Sequence, residues 1–151
     1  MTVVVGVDNS ARSKAALRLA AHEARWRQTP LVAVTAFEPP LAPVGGYPAA
    51  AKHSAREERA NAEAALRATV DDELGDQAAQ ADLRISEGIA GRVIVEAARE
   101  THAQLVVLAA RPGKPTVPGT VSHYVLLRAR CPVMIVPSSD AGDDVDGRYD
   151  S

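Results

Sequence analysis

The residues best suited to chemistry follow runs of apolar residues. Asp8 comes directly after the β-branched run at residues 2–7. A carboxylate at this point can accept hydrogen bonds from the first N–H groups of the next helix or from a bound ligand. Further along, Arg111 and Lys114 precede Gly119, where another helix is predicted to begin. Cationic side chains and helix N–H groups in such positions favour binding of an anion such as phosphate.

Patterns typical of enzymes and metal sites are absent from the sequence. The histidines have no metal-ligand spacing among themselves or with a thiol or carboxylate; they are His22, His53, His102 and His123. There is no Gly-x-Ser-x-Gly elbow, Ser-x-x-Lys motif or pair of catalytic carboxylates. Cys131 precedes an apolar run, where a thiol is usually a small core residue. We therefore expect no metal site, no catalytic residue and a protein that is not an enzyme, with weak nucleotide hydrolysis left open as an alternative.

Five apolar runs predict the strands that must position these residues, at 2–7, 31–37, 82–86, 104–109 and 132–137. Most are continuous and β-branched, as in strands buried on both faces of a parallel sheet. Helical patterns alternate with them, at residues 15–24, 49–74, 91–101 and 119–129. We expect Asn9 or Ser10 to cap the first helix, Gly75 to end the second, and Trp26 to be a packing residue.

The alternation of strands and helices predicts an α/β fold, a single doubly wound five-stranded parallel sheet sandwiched by about four helices. Ligands bind such sheets outside the carboxyl ends of the strands, near the switch point in strand order. The site is therefore expected at Asp8 and within residues 36–48 and 108–121. Residues 38–48 and 111–118 are rich in proline and are expected to form loops.

Composition narrows the class of protein. A chain of 151 residues is long enough for one domain, expected at 1–137, followed by an acidic disordered tail at 138–151. Only 3% of the residues are aromatic, so Ala, Val, Leu and Ile must build the core. A net charge of −2 does not favour binding to nucleic acid or to an anionic membrane, both of which attract positively charged proteins. With a single cysteine and no leader or spanning segment, we expect a cytoplasmic protein without disulfides.

Three groups of residues resemble the universal stress protein family. They are VGVDNS at 5–10 before an Ala-rich helix, EG at 87–88 before VEAA at 95–98, and GTVS at 119–122 before CPV at 131–133. The resemblance covers about residues 2–137 in the family's order. It implies a homodimeric, adenine nucleotide α hydrolase-like domain that is used under stress. The family has ATP-binding and non-ATP-binding branches, and catalysis is not usual in it.

The phosphate loop of the ATP-binding branch is only partly matched. That branch carries G-x2-G-x9-G-[ST] between the fourth strand and the last helix. Here Ala109 and Pro112 stand at the first two glycine positions, with Gly113 beside them, and six residues instead of nine lead to Gly119-Thr120. Proline has no N–H and fixes φ, and a shorter loop has less arc to wrap a triphosphate. We expect weak or no ATP binding and no tightly bound cofactor.

Part of the family's site is retained. By the resemblance, Asp8 matches the acidic residue that contacts the adenosine part, and Ala36 matches the backbone position lining the adenine pocket. The N–H groups at the last helix start, with Arg111 and Lys114, could still hold one phosphate. The candidate nucleotide-binding residues are Asp8, Ala36, Leu108, Ala109, Arg111, Gly113, Lys114, Gly119, Thr120 and Val121.

The last strand is the predicted dimer interface, because the family pairs this strand across a two-fold axis. It is an apolar edge strand bounded by prolines and consists of Val133, Met134, Ile135 and Val136, with Met134 expected to face outward. The favoured function is a homodimeric stress-response module that acts through protein partners without retaining ATP. An AMP- or ATP-binding regulatory switch is the alternative, and a nucleotide hydrolase is the least favoured.

Overall fold

The computed structural model describes residues 1–38, 48–110 and 120–137, without the side chains of residues 48–53 and 120. The strands are β1 (Thr2–Gly6), β2 (Leu31–Phe37), β3 (Ala81–Glu87), β4 (Ala103–Ala109) and β5 (Val133–Val136). The helices are α1 (Ala11–Trp26), α2 (Pro48–Leu74), α3 (Ala90–Glu100) and α4 (Thr120–Arg128), with a 3-10 helix at Gly75–Gln80. Of the loop predicted at 38–48, residues 39–47 lie outside the described residues, and Pro48 is instead the first residue of α2. The predicted loop at 111–118 and the tail from 138 also lie outside the described residues.

All five strands are parallel and form one sheet in the order β3-β2-β1-β4-β5. The predicted doubly wound α/β fold is therefore confirmed. The chain runs from β1 outward through β2 to β3, and then returns to the other side of β1 to add β4 and β5. The switch point in strand order thus lies between β1 and β4, where open α/β sheets form their ligand-binding crevices.

The core consists of two apolar layers separated by the sheet. Alternate residues of β1 enter different layers, since Val3 and Val5 belong to the cluster containing α1 and α2, and Val4 to the cluster containing α3 and α4. All three valines are fully buried. The described core is built almost wholly from Ala, Val, Leu and Ile, as the composition indicates, and Phe37 is its aromatic member.

The ends of the first two helices follow from specific residues. Ser10 is the N-cap of α1, and its hydroxyl oxygen lies 3.4 Å from the amide nitrogen of Ser13. At the end of α2, Gly75 has a φ of +56°, which a residue without a Cβ adopts at little cost. The prediction that Gly75 ends this helix is confirmed, although a 3-10 helix that was not foreseen follows.

Trp26 is not a packing residue, and that prediction was wrong. Its side chain is 74% exposed at the last position of α1 and contacts the guanidinium of Arg27. The position falls on the solvent face of α1, whereas Ala16, Leu17 and Ala20 form the buried face. No helix in the described part of the chain is both long and apolar enough to cross a bilayer.

Candidate functional site

A small pocket lies at the carboxyl ends of β1, β2 and β4, at the switch point. We call it the carboxyl-end pocket. Its volume is about 100 Å³. This is well below the roughly 300–1,000 Å³ of ordinary small-molecule sites, so the pocket encloses only part of a nucleotide-sized ligand. Its lining residues are Gly6, Val7, Asp8, Arg12, Ser13, Val34, Ala36, Ala90, Ile94, Leu108, Ala109, Val121 and Ser122.

Five of the predicted site residues meet in this pocket, namely Asp8, Ala36, Leu108, Ala109 and Val121. Asp8 lies in the turn after β1, Ala36 in β2, Leu108 and Ala109 in β4, and Val121 in α4. The topology thus brings together residues up to 113 positions apart in the chain. Thr120 is the first residue of α4. The other four predicted residues, Arg111, Gly113, Lys114 and Gly119, lie outside the described residues. Ligand binding by any of these residues stays a prediction.

The Asp8 carboxylate organises the turn between β1 and α1. Its Oδ1 accepts a hydrogen bond from the Ser10 backbone N–H at 2.8 Å and another from the Ser10 hydroxyl. The capping role that the sequence suggested is thus carried out jointly, because Asp8 holds Ser10 and Ser10 caps the helix. Asp8 is also exposed and lines the pocket.

Ser13 also stabilises the turn between β1 and α1. Its side chain is only 1% exposed, and its hydroxyl lies 2.6 Å from the carbonyl oxygen of Asp8 and 3.0 Å from that of Ser10. On the neighbouring strand, the Thr35 hydroxyl donates to the carbonyl oxygen of Val7 at 2.8 Å. These bonds fix the polar wall of the pocket to the end of the sheet.

Two glycines allow the helices to come close to the site. A Cβ on Gly6 would lie 2.8 Å from Ile94 Cδ1 and 3.1 Å from Leu108 Cδ2. A Cβ on Gly91 would lie 3.0 Å from Cδ1 of Tyr124, so this residue lets α4 pack directly on α3. The contact between these helices places the start of α4 at the pocket.

Sequence reasoning missed several lining residues, of which Arg12 is the one with charge. Ile94 and Ala90 come from α3, which was not considered as a wall of the site, and Ser122 follows the predicted Val121. Arg12 lies four residues after Asp8, which is one helical turn. That spacing is the signal that could have placed it beside the carboxylate.

A larger recess, of about 600 Å³, lies at the opposite end of the sheet. Alanine, leucine and glutamine side chains form most of its walls, and Arg25 is its charged lining residue. The carboxyl end of α1 lies there, and the partial negative charge of a helix end disfavours anions. Despite its size, the recess is therefore a poorer candidate for a phosphate ligand than the carboxyl-end pocket.

The last strand is an edge of the sheet, but its outward-facing residue is not Met134. Met134 packs against the core cluster of α1 and α2, whereas Ile135 is 36% exposed. Our assignment of Met134 was wrong, because α1 contacts β5 and covers that face. Leu126 and Leu127 of α4 are also exposed, at 55% and 67%.

Cys131 is the cysteine of the chain, and its surroundings in the described residues are apolar. Cys131 is half-buried against the cluster of α3 and α4, and desolvation by burial raises the pKa of its thiol. A raised pKa keeps the thiol protonated and unreactive near neutral pH. Within the described ranges, no group of three or more His, Cys, Asp or Glu residues could hold a metal ion.

The comparisons with known proteins agree with one another. A family model described as "Universal stress protein family" matches residues 1–137. No curated protein matches the chain. Among solved structures, universal stress protein UspA from Lactobacillus plantarum is 25% identical with a TM-score of 0.72, and the match covers 90% of this chain and 97% of that one.

Two further structures contain nucleotides. A universal stress protein in complex with cAMP is 29% identical with a TM-score of 0.68, covering 90% of this chain and 96% of the other. The universal stress protein from Archaeoglobus fulgidus in complex with dAMP is 28% identical with a TM-score of 0.57, covering 89% and 96%. The ligands in both complexes are adenine nucleotides with a single phosphate.

Proposed function

Since the chain belongs to the universal stress protein family, we propose that it is a cytoplasmic, homodimeric stress-response protein whose carboxyl-end pocket binds an adenine nucleoside monophosphate and holds ATP only weakly. The observation that carries this proposal is the convergence of Asp8, Ala36 and the start of α4 on one pocket at the switch point. The nucleotide-bound relatives support the ligand class.

Pocket size supports a small and weakly held ligand. At about 100 Å³, the enclosed space is smaller than ordinary small-molecule sites of roughly 300–1,000 Å³. In this proposal the base enters the enclosed space, and the sugar and phosphate extend beyond its walls. The prolines at 112, 115 and 118 provide no N–H donors for the β- and γ-phosphates. Extra phosphates therefore add charge without adding contacts, and ATP should bind no better than AMP.

The proposal includes no catalytic turnover. Asp8 is the carboxylate that lines the pocket among the described residues, and its Oδ1 is engaged by Ser10. Hydrolysis of a nucleotide requires a positioned base for water and ligands for Mg²⁺. We expect ATP incubated with the protein and Mg²⁺ to stay intact, as measured by chromatography of the nucleotides.

Isothermal titration calorimetry with adenosine, AMP and ATP tests the binding proposal. Wild-type protein should bind AMP at least as tightly as ATP, with or without Mg²⁺. Ala36→Leu should abolish binding, because Ala36 lines the pocket and a larger side chain fills it. Ala81→Leu is the matched control: Ala81 is also half-buried in a strand, but lines the recess at the other end of the sheet.

Several outcomes would contradict the proposal. Absence of adenosine and AMP binding at millimolar ligand would refute nucleotide binding altogether. A clear preference for ATP over AMP would show that the shortened loop still holds a triphosphate. Equal loss of binding in the Ala36→Leu and Ala81→Leu proteins would place the ligand elsewhere. Native mass spectrometry of the purified protein checks the homodimer and any retained nucleotide in the same spectrum.

A further inference from the structure

Arg12 is a charged residue of the carboxyl-end pocket that neither the motif nor the family model assigns. It is the second residue of α1, is half-buried, and lines the pocket together with Asp8 and Ser13. The hydrogen bonds of Ser10 and Ser13 fix the start of α1, and with it the backbone of Arg12. Arg12 is thus placed to contact a ligand in this pocket.

Arg12 differs in ion pairing from several other arginines in the described part of the chain. Arg18, Arg27 and Arg84 each have a carboxylate oxygen within 4.0 Å, whereas no ion pair joins Arg12 to any residue in the described ranges. Partial burial costs the guanidinium of Arg12 part of its hydration. An anion in the pocket would return some of that interaction, although the Asp8 carboxylate lines the same pocket.

The backbone around the pocket also favours negative charge. Three helices begin there, with Arg12 and Ser13 in α1, Ala90 in α3 and Val121 in α4 among the lining residues. Each of these helices lacks an acidic residue in its first turn. The N-cap of α3 makes no side-chain hydrogen bond. The partial positive charges of the helix ends therefore add to that of Arg12.

We propose that Arg12 binds the phosphate of the nucleoside monophosphate and sets the preference of this pocket for nucleotide over nucleoside. The inference rests on the proposed function. In this arrangement the planar guanidinium contacts phosphate oxygens through paired N–H donors, a geometry that a shortened, proline-rich loop cannot supply from its backbone. The base lies in the enclosed part of the pocket, and the phosphate lies toward the beginning of α1.

The test compares AMP with adenosine by chemical-shift titration of ¹⁵N-labelled protein at low salt. Wild-type protein should bind AMP about tenfold or more tightly than adenosine, equal to about 1.4 kcal/mol. Arg12→Gln should bring the two affinities to within about threefold by weakening AMP, and leave adenosine unchanged. Arg12→Lys should restore part of the AMP preference, because charge returns without the planar fork. Arg18→Gln is the control, since it removes a charge from the same helix outside the pocket.

The outcomes separate this inference from the proposed function. If Arg12→Gln retains the full AMP preference, or if wild-type protein binds AMP and adenosine equally, Arg12 does not bind phosphate, while the nucleotide site itself stands. If neither ligand binds, both proposals fail. A far-UV circular dichroism spectrum and urea midpoint matching wild type confirm that each variant is folded. Should Arg12→Gln fail to fold, the Arg12→Lys comparison decides, because an unchanged ratio of AMP to adenosine affinity overturns the role of the planar group.

Discussion

Gly6 offers the sharpest test of how the sheet and α3 pack beneath the site. A Cβ at this position would lie 2.8 Å from Ile94 Cδ1, about 0.6 Å short of the distance at which ordinary contact begins. The backbone of Gly6 does not have a positive φ, so Gly6→Ala tests crowding without backbone strain. Overpacking of this kind costs about 1–3 kcal/mol. We expect Gly6→Ala to lower the free energy of unfolding by an amount in that range.

The closest clash involves a single atom, Ile94 Cδ1, while Leu108 Cδ2 at 3.1 Å remains close. Ile94→Val removes Cδ1 and by itself should cost about 0.5–1.5 kcal/mol. Combined with Gly6→Ala, it should show a favourable coupling of about 1 kcal/mol, so the double variant should be about as stable as Gly6→Ala alone and not further destabilised. Ile85→Val is the matched control, because Ile85 packs against the other apolar cluster and should give simple additivity with Gly6→Ala.

Urea unfolding followed by far-UV circular dichroism measures the wild type, the three single variants and the two double variants, and equal m-values would show that the unfolded states are comparable. Trp26 fluorescence is unsuitable, because the only tryptophan is already exposed in the folded protein. Strict additivity of Gly6→Ala and Ile94→Val would refute the reasoning. It would mean that Ile94 swings aside freely, and that α3 is not held against β1 by this contact.

Three further predictions concern the rest of the chain. Ile135→Lys should dissociate the proposed dimer in analytical ultracentrifugation without unfolding it, whereas Met134→Lys should destabilise the subunit; a dimer unaffected by Ile135→Lys would contradict the interface. Burial raises the pKa of the Cys131 thiol, so alkylation of this thiol should be slower in native than in urea-unfolded protein; equal alkylation rates would argue against burial. The free energy of unfolding should also decline at alkaline pH, where the buried neutral thiol becomes ionised. Removal of residues 138–151 should leave the melting temperature unchanged, and a large fall would show that the tail docks.

The strands were predictable because a buried parallel strand consists of apolar residues almost throughout. The runs at 31–37 and 104–109 can be read from the sequence with errors of one residue at most. Orientation within a strand or helix is harder, because both faces of β5 are apolar and only the position of α1 shows that Met134 is covered. Trp26 was misjudged for the same reason, since a large apolar residue carries no mark of the face on which it lies.

The residues of the site that are placed by strand topology were predictable, whereas those placed by the direction of a side chain were not. Asp8 and Ala36 lie near the carboxyl ends of neighbouring strands, so a parallel sheet must bring them to the same end of the sheet. Arg12 resembles any surface arginine in a helix, and only the pocket distinguishes it from Arg18. The preference for AMP or ATP depends on the loop at 111–119, whose proline content the sequence shows but whose contacts lie outside the described residues.

The alternating burial of β1 has a consequence for hydrogen exchange. Because Val3 and Val5 hold one layer and Val4 the other, β1 cannot separate from the sheet without opening both halves of the core. Its amide protons should therefore exchange only through global unfolding, at the slowest rates in the domain. The floor of the carboxyl-end pocket, formed by Gly6 and Val7, is continuous with this strand. These two residues should therefore stay fixed while a ligand enters and leaves the pocket.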